Sequence, residues 1–154
     1  MNRILIAGIG NVFFGDDGFG VEVAQRLGGT PPPDATVADY GIRAVHLAFE
    51  LLAPYEACIV ADCMPRGGQP GTLYVVEPEL DGRATLPDAH GIDLSSVLDT
   101  VREIGGTVPP ILIVGCEPES ISPGMQLSAS VEAAVPGAIA LIRELVENQA
   151  WRSA

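Results

Sequence analysis

Short apolar runs of strand length alternate with stretches of helical period along almost the whole chain, and this alternation restricts the fold more than any other feature. Residues 3–8, 35–39, 57–63, 72–77 and 111–116 read as strands, each bounded by glycine, proline or acidic residues. Four helices are expected between and after them. In 18–27, Val21, Ala24 and Leu27 share one face, and Gly28 and Gly29 stop the helix. In 44–52 the expected inner face is Val45, Ala48 and Leu52. In 93–104, Leu94, Val97, Leu98 and Val101 fall at i, i+3, i+4 and i+7. In 128–149, Pro136 removes one ladder donor and is expected to kink the helix. Such a pattern belongs to an α/β domain with helices layered on a sheet. The run 57–63 is the most apolar and belongs at the sheet centre.

Connection lengths fix strand directions. Only about eight residues join the third and fourth strands, whereas a parallel crossover needs about a dozen or more. The fourth strand should therefore run antiparallel in an otherwise parallel, right-handed sheet. No repeat, low-complexity tract or linker divides residues 1–154, which are expected to form a single domain.

Charge narrows the function. Eight basic side chains face twenty acidic ones, a net charge of −12, which argues against a nucleic-acid partner. It suits a cationic partner or a metal ion. The amino terminus lacks the apolar core and cleavage site of a signal peptide. No stretch approaches the ~20 apolar residues that span a bilayer, so a cytoplasmic protein without a membrane partner is expected. Cys58, Cys63 and Cys116 lack metal-site spacing and read as reduced, buried thiols.

The first strand runs into Gly8, Ile9, Gly10 and Asn11, with Asp16, Asp17, Gly18 and Gly20 at the start of the next helix. A dinucleotide fingerprint would need glycine at position 13, where Phe13 stands. The adjacent acids would also repel a pyrophosphate from the helix N-terminus. A phosphate-handling site would need basic residues at the strand edge, and only Arg43 and Arg66 lie near it. No G-x-S-x-G elbow is present.

In open α/β sheets ligands bind beyond the carboxyl ends of the strands. Asp17 follows the first strand, Asp39 ends the second and Asp62 ends the third. Three carboxylates on one edge are unfavourable unless a cation or shared protons compensate. His90 lies just before the third helix and is expected at the same edge. With Asp17 and Asp62 it makes two carboxylates and one imidazole, a donor set suited to zinc or nickel. The other histidine, His46, reads as a helix-surface or partner-facing residue.

At these residues the chain resembles the hydrogenase maturation endopeptidases, which trim the C-terminal extension from the large-subunit precursor of nickel–iron hydrogenases. Gly8-Ile9-Gly10-Asn11 with Asp16-Asp17-Gly18 and Gly20 is similar to the first signature of that family. Asp39 with Gly41 is similar to the second. Ile59 to Cys63 followed by Gly68 to Thr72, then His90 to Leu94, then Gly115 to Glu119 are similar to the third, fourth and fifth, in the same order.

The resemblance implies a three-layer α/β/α sandwich around a five-stranded mixed sheet of order 2-1-3-5-4. It implies that Asp17, Asp62 and His90 contact the nickel already installed in the precursor. Asp16, Asp39, Gly10 and Asn11 would support them. Nickel would thus arrive with the substrate, and other divalent ions such as Zn2+ or Cd2+ would occupy the site in vitro. The metal would act as a Lewis acid on the scissile peptide, or serve as a recognition tag while a carboxylate activates water. A monomer is expected. A non-catalytic, nickel-checking maturation chaperone is the alternative on the same residues.

One departure concerns the second signature, where many members carry Gly-Thr or Gly-Ser with a further glycine. Here Asp39 and Tyr40 precede Gly41, and Arg43 and His46 become candidates for substrate specificity.

Overall fold

The computed structural model describes residues 3–78 and 93–152. β1 (Ile4–Ile9), β2 (Ala35–Gly41), β3 (Ala57–Cys63), β4 (Leu73–Val76) and β5 (Ile111–Cys116) form one sheet in the order β2-β1-β3-β5-β4. All neighbours are parallel except β4, which runs antiparallel to β5. The short connection after β3 forces that reversal, as the loop-length argument required.

Side-chain alternation along the strands divides the core into two layers. Ile4, Ile6, Ile59, Ala61 and Val114 point to the side covered by α1 (Phe19–Leu27) and α4 (Ala129–Glu147). Leu5, Ala7, Val60 and Ile113 point to the other side, covered by α2 (Ala44–Glu50) and α3 (Leu94–Glu103). β1, β3 and β5 are buried along their whole length, which is why they read as unbroken apolar runs. α3 starts where Asp93 caps it, accepting from the Ser95 amide at 3.0 Å and the Ser96 hydroxyl at 2.9 Å.

One helix differs from the sequence reading. In α2 the buried residues are Leu47 and Ala48, with Leu51 buried just beyond its end, while Val45 is 60% and Leu52 40% exposed. The helix ends at Glu50, so Leu52 lies outside it, and its inner face is rotated from the one expected. α4 is one continuous element from Ala129 to Glu147 that contains Pro136, which lies on its exposed side.

A close backbone approach places the first helix. A Cβ added to Gly20 would lie 2.0 Å from the Ala61 carbonyl oxygen and 2.4 Å from that of Ile9. Only glycine lets the start of α1 rest directly on the carboxyl ends of β1 and β3. The 3-10 turn Gly15–Gly18, carrying Asp16 and Asp17, is thereby held over that edge.

Candidate active site at the carboxyl edge of the sheet

Gly8 of β1 stands in register between Asp39 of β2 and Ala61 of β3, so three strands end at one level. Beyond them the chain turns at Gly10, whose amide donates to the Gly41 carbonyl at 3.0 Å. Gly10 has φ +131°, and a Cβ there would lie 1.9 Å from the Asp17 carbonyl oxygen and 3.7 Å from Asp62 Oδ1. The missing side chain is what allows the Asp17 turn and the Asp62 carboxylate to close around the same point. Asp17 is oriented from the same loop, its Oδ2 accepting from the Asn11 amide at 2.8 Å. Asn11 in turn bends the loop, its side-chain oxygen accepting from the Phe13 amide at 2.9 Å. Asp17 and Asp62 are both buried, at 2% and 6% exposure.

Asp16 has a different role from its neighbour. Its Oδ2 accepts from the amides of Glu119 and Ser120 at 2.8 and 3.0 Å and from the Ser128 hydroxyl at 2.8 Å. Its Oδ1 accepts from the Ser128 amide at 2.7 Å. One carboxylate therefore ties the 3-10 turn to the β5–α4 loop and to the residue preceding α4, through partners different from the Asn11 amide that Asp17 accepts from.

Asp39 stands apart from Asp62. β1 lies between β2 and β3, which separates Asp39 from Asp62 by two strand spacings, about 10 Å. Asp39 is half-buried, and its Oδ1 faces Arg43 Nη2 at 3.7 Å. Arg43 also donates to the carbonyls of Asp39 and Tyr40 at 2.7 and 3.0 Å, closing the β2–α2 turn. His46 is exposed on α2. Asp39, Arg43, Gly10, Asn11 and Phe13 line a cavity of about 350 Å³ beside the acidic pair. His90 lies outside the described residues. Among the described residues no three His, Cys, Asp or Glu side chains meet in metal-ligand geometry.

The electrostatics of the edge register on its cysteines. Burial first, then the carboxylates of Asp62, Asp17 and Asp16, push the Cys63 thiol well above its ordinary range. Burial and then the Asp16 and Glu117 charges raise Cys116 to about 11. Burial alone raises Cys58 to about 12. All three are free, buried thiols, and none is poised as a nucleophile. Like charges buried on one edge disfavour each other's ionised form. A divalent cation between them reverses that effect.

Comparison with known proteins settles the lineage. The family model described as hydrogenase maturation protease matches residues 21–145. This chain belongs to the hydrogenase maturation protease family. It is 31% identical to the hydrogenase expression/formation protein HupD of Rhodobacter capsulatus, over 97% of this chain and 72% of that one. The hydrogenase maturating endopeptidase HybD of E. coli superposes with a TM-score of 0.80 at 26% identity, covering 95% of this chain and 93% of that one. A hydrogenase 2 maturation peptidase from a Thaumarchaeota archaeon gives 0.73 at 32% identity, covering 94% and 98%.

The maturation protease also carries a polar cluster that the reading of individual residues passed over. Glu117 directly follows β5 and is only 4% exposed. Its Oε1 accepts from the amides of Arg66 and Gly68 at 2.8 and 2.9 Å and from the Tyr74 hydroxyl at 2.8 Å. Burial pushes its carboxyl up, but these donors, with the Gly67 amide, outweigh burial and hold it below the ordinary range. The signal was available: an acid at the end of an all-apolar strand needs partners, by the reasoning that singled out Asp62. Further round the rim, Phe13, Ile42, Val45 and Phe49 expose about 60% of their surface each.

Proposed function

We propose that this protease removes the C-terminal extension of a nickel–iron hydrogenase large-subunit precursor after nickel insertion, recognising the bound nickel through Asp17, Asp62 and His90. The observation that carries the reading is the closure of the Asp17 turn and the Asp62 carboxylate around Gly10, in a chain of this family. Two buried carboxylates supply anionic oxygens, and His90 supplies a neutral nitrogen, a mix suited to a late first-row divalent ion. The nickel belongs to the substrate, so the isolated protease holds none tightly.

Docking of the precursor offsets the repulsion between Asp17 and Asp62 and seats the scissile peptide at the strand edge. Nickel supplies Lewis acidity there. Asp17, fixed by the Asn11 amide, and Asp62 orient the attacking water. A carboxylate oxygen takes the proton of that water as its oxygen bonds to the peptide carbon. The proton then passes to the departing amine as the C–N bond breaks. The exposed apolar rim at Phe13, Ile42, Val45 and Phe49, with Arg43 and His46, meets the body of the precursor. The protease works as a cytoplasmic monomer in this reading, and no described helix is long and apolar enough to cross a membrane.

The test incubates the protease with nickel-loaded and nickel-free large-subunit precursor and follows precursor mass. Loss of the extension from the loaded form alone is expected, with none from Asp62→Asn or His90→Ala protein. Binding of loaded precursor without any mass loss would favour the chaperone alternative. Equal cleavage of both forms would remove nickel from the account.

A further inference from the structure

The basic side chains of the described residues are almost all engaged. Arg3, Arg26, Arg43, Arg102 and Arg152 form ion pairs, and Arg143 donates to Thr30. Arg66 differs. Among the described residues its guanidinium meets only the ring of Tyr74, 5.5 Å from the centroid, although the chain has a net charge of −12. Its backbone is nonetheless fixed, because the buried Glu117 carboxylate accepts from its amide and from that of Gly68. Tyr74 is held by the same oxygen. A loop with an exposed tip is thus built so that one cation stays stacked in one place, at a cost in buried polar groups that surface solubility does not require.

Strand register gives its place relative to the acidic pair. Asp62 of β3 and Tyr74 of β4 both pair with Gly115 of β5, so they form one row across the sheet. Alternation puts Asp62 on the same face as Val60, and Tyr74 packs on that face too. Gly115 has no side chain, and Met64 fills the space over it. The row therefore spans two strand spacings, about 10 Å, from the backbone of Asp62 to that of Tyr74, whose ring carries Arg66. About three residues of extended peptide cover that distance.

The geometry points to Arg66 as a specificity-determining residue that receives a carboxylate of the precursor about three residues from the scissile bond. The carboxylate is an acidic side chain or the end of the chain, and a planar guanidinium stacked on an aromatic ring suits either. This inference rests on the peptidase reading above.

Steady-state kinetics on three nickel-loaded precursors test it. One is native, one has each acidic residue within about five positions of the cut replaced by its amide, and one has its end moved outward by a Gly-Ser tail. Arg66→Gln is expected to raise KM on the native precursor about three- to tenfold, with a smaller change in kcat. Arg66→Lys should recover part of that loss. The penalty should vanish on the amide precursor if a side chain is bound, or on the tailed one if the chain end is bound. An unchanged KM for Arg66→Gln, or a penalty that persists on both altered precursors, overturns the inference. Failure of the unmutated protease to cleave the native precursor would instead overturn the peptidase reading and take this one with it.

Discussion

Replacing Asp16 by alanine separates the structural acid from its neighbour. The side chain is 1% exposed and receives four hydrogen bonds, three from amides and one from the Ser128 hydroxyl. Truncation leaves the amides of Glu119, Ser120 and Ser128 facing a void. A buried donor left unmade costs about 1–3 kcal/mol, and water entering the gap restores part of that. The Ser128 hydroxyl can turn elsewhere. A net loss of about 3–4 kcal/mol follows, near the upper end for single substitutions. For a domain of this size that is a fall of roughly 6–16 °C in Tm. Urea denaturation followed by circular dichroism measures it directly, with an unchanged slope showing that the transition stays comparable. Asp17→Asn, which can still accept from the Asn11 amide, should unfold within about 1 kcal/mol of the parent. Asp16→Ala within about 1 kcal/mol of the parent, or Asp17→Asn losing as much as Asp16→Ala, would refute the division of roles.

Gly10→Ala should lower stability by about 2–4 kcal/mol, since its Cβ would meet the Asp17 carbonyl at 1.9 Å in a left-handed conformation, and it should slow precursor processing at temperatures where the protein is still folded. Glu117 is depressed in the folded state, so it adds stability above the ordinary carboxylate value of about 4.3, and that stability is lost as pH falls through the folded value. Thermal unfolding between about pH 3 and 6 should fall less steeply in Glu117→Gln than in the parent. The three cysteines are buried with raised thiols, so a thiol reagent at pH 8 should show no fast phase on the native protein and three equivalents after unfolding. A rapid equivalent in the native state would contradict their placement.

The sheet was legible because its determinants are local. Unbroken apolar runs mark strands covered on both faces, and the eight or so residues after β3 leave no room for a crossover. α2 was legible only in existence. In a helix of seven residues, two candidate faces differ by little, and tertiary packing chose Leu47 and Ala48 over Val45. Asp39 was grouped with the other acids because strand ends share an edge, but strand order, which separates it from Asp62, came from the family resemblance and not from the residues. The contrast between Asp16 and Asp17 came from the family resemblance and not from the residues, since it depends on the amides of Glu119, Ser120 and Ser128, more than a hundred residues away. Gly10 could be read as a turn, but not as the point around which Asp17 and Asp62 close.

The central claim is that residues 17, 62 and 90 share one cation, and anomalous diffraction from crystals grown with Zn2+ or Cd2+ tests it most directly. The account predicts a single strong peak beside Gly10, about 2.0–2.2 Å from a carboxylate oxygen of Asp17, one of Asp62 and a ring nitrogen of His90 in the zinc crystals. A peak held by other residues, or an imidazole of His90 remote from the two carboxylates with metal bound, would contradict it.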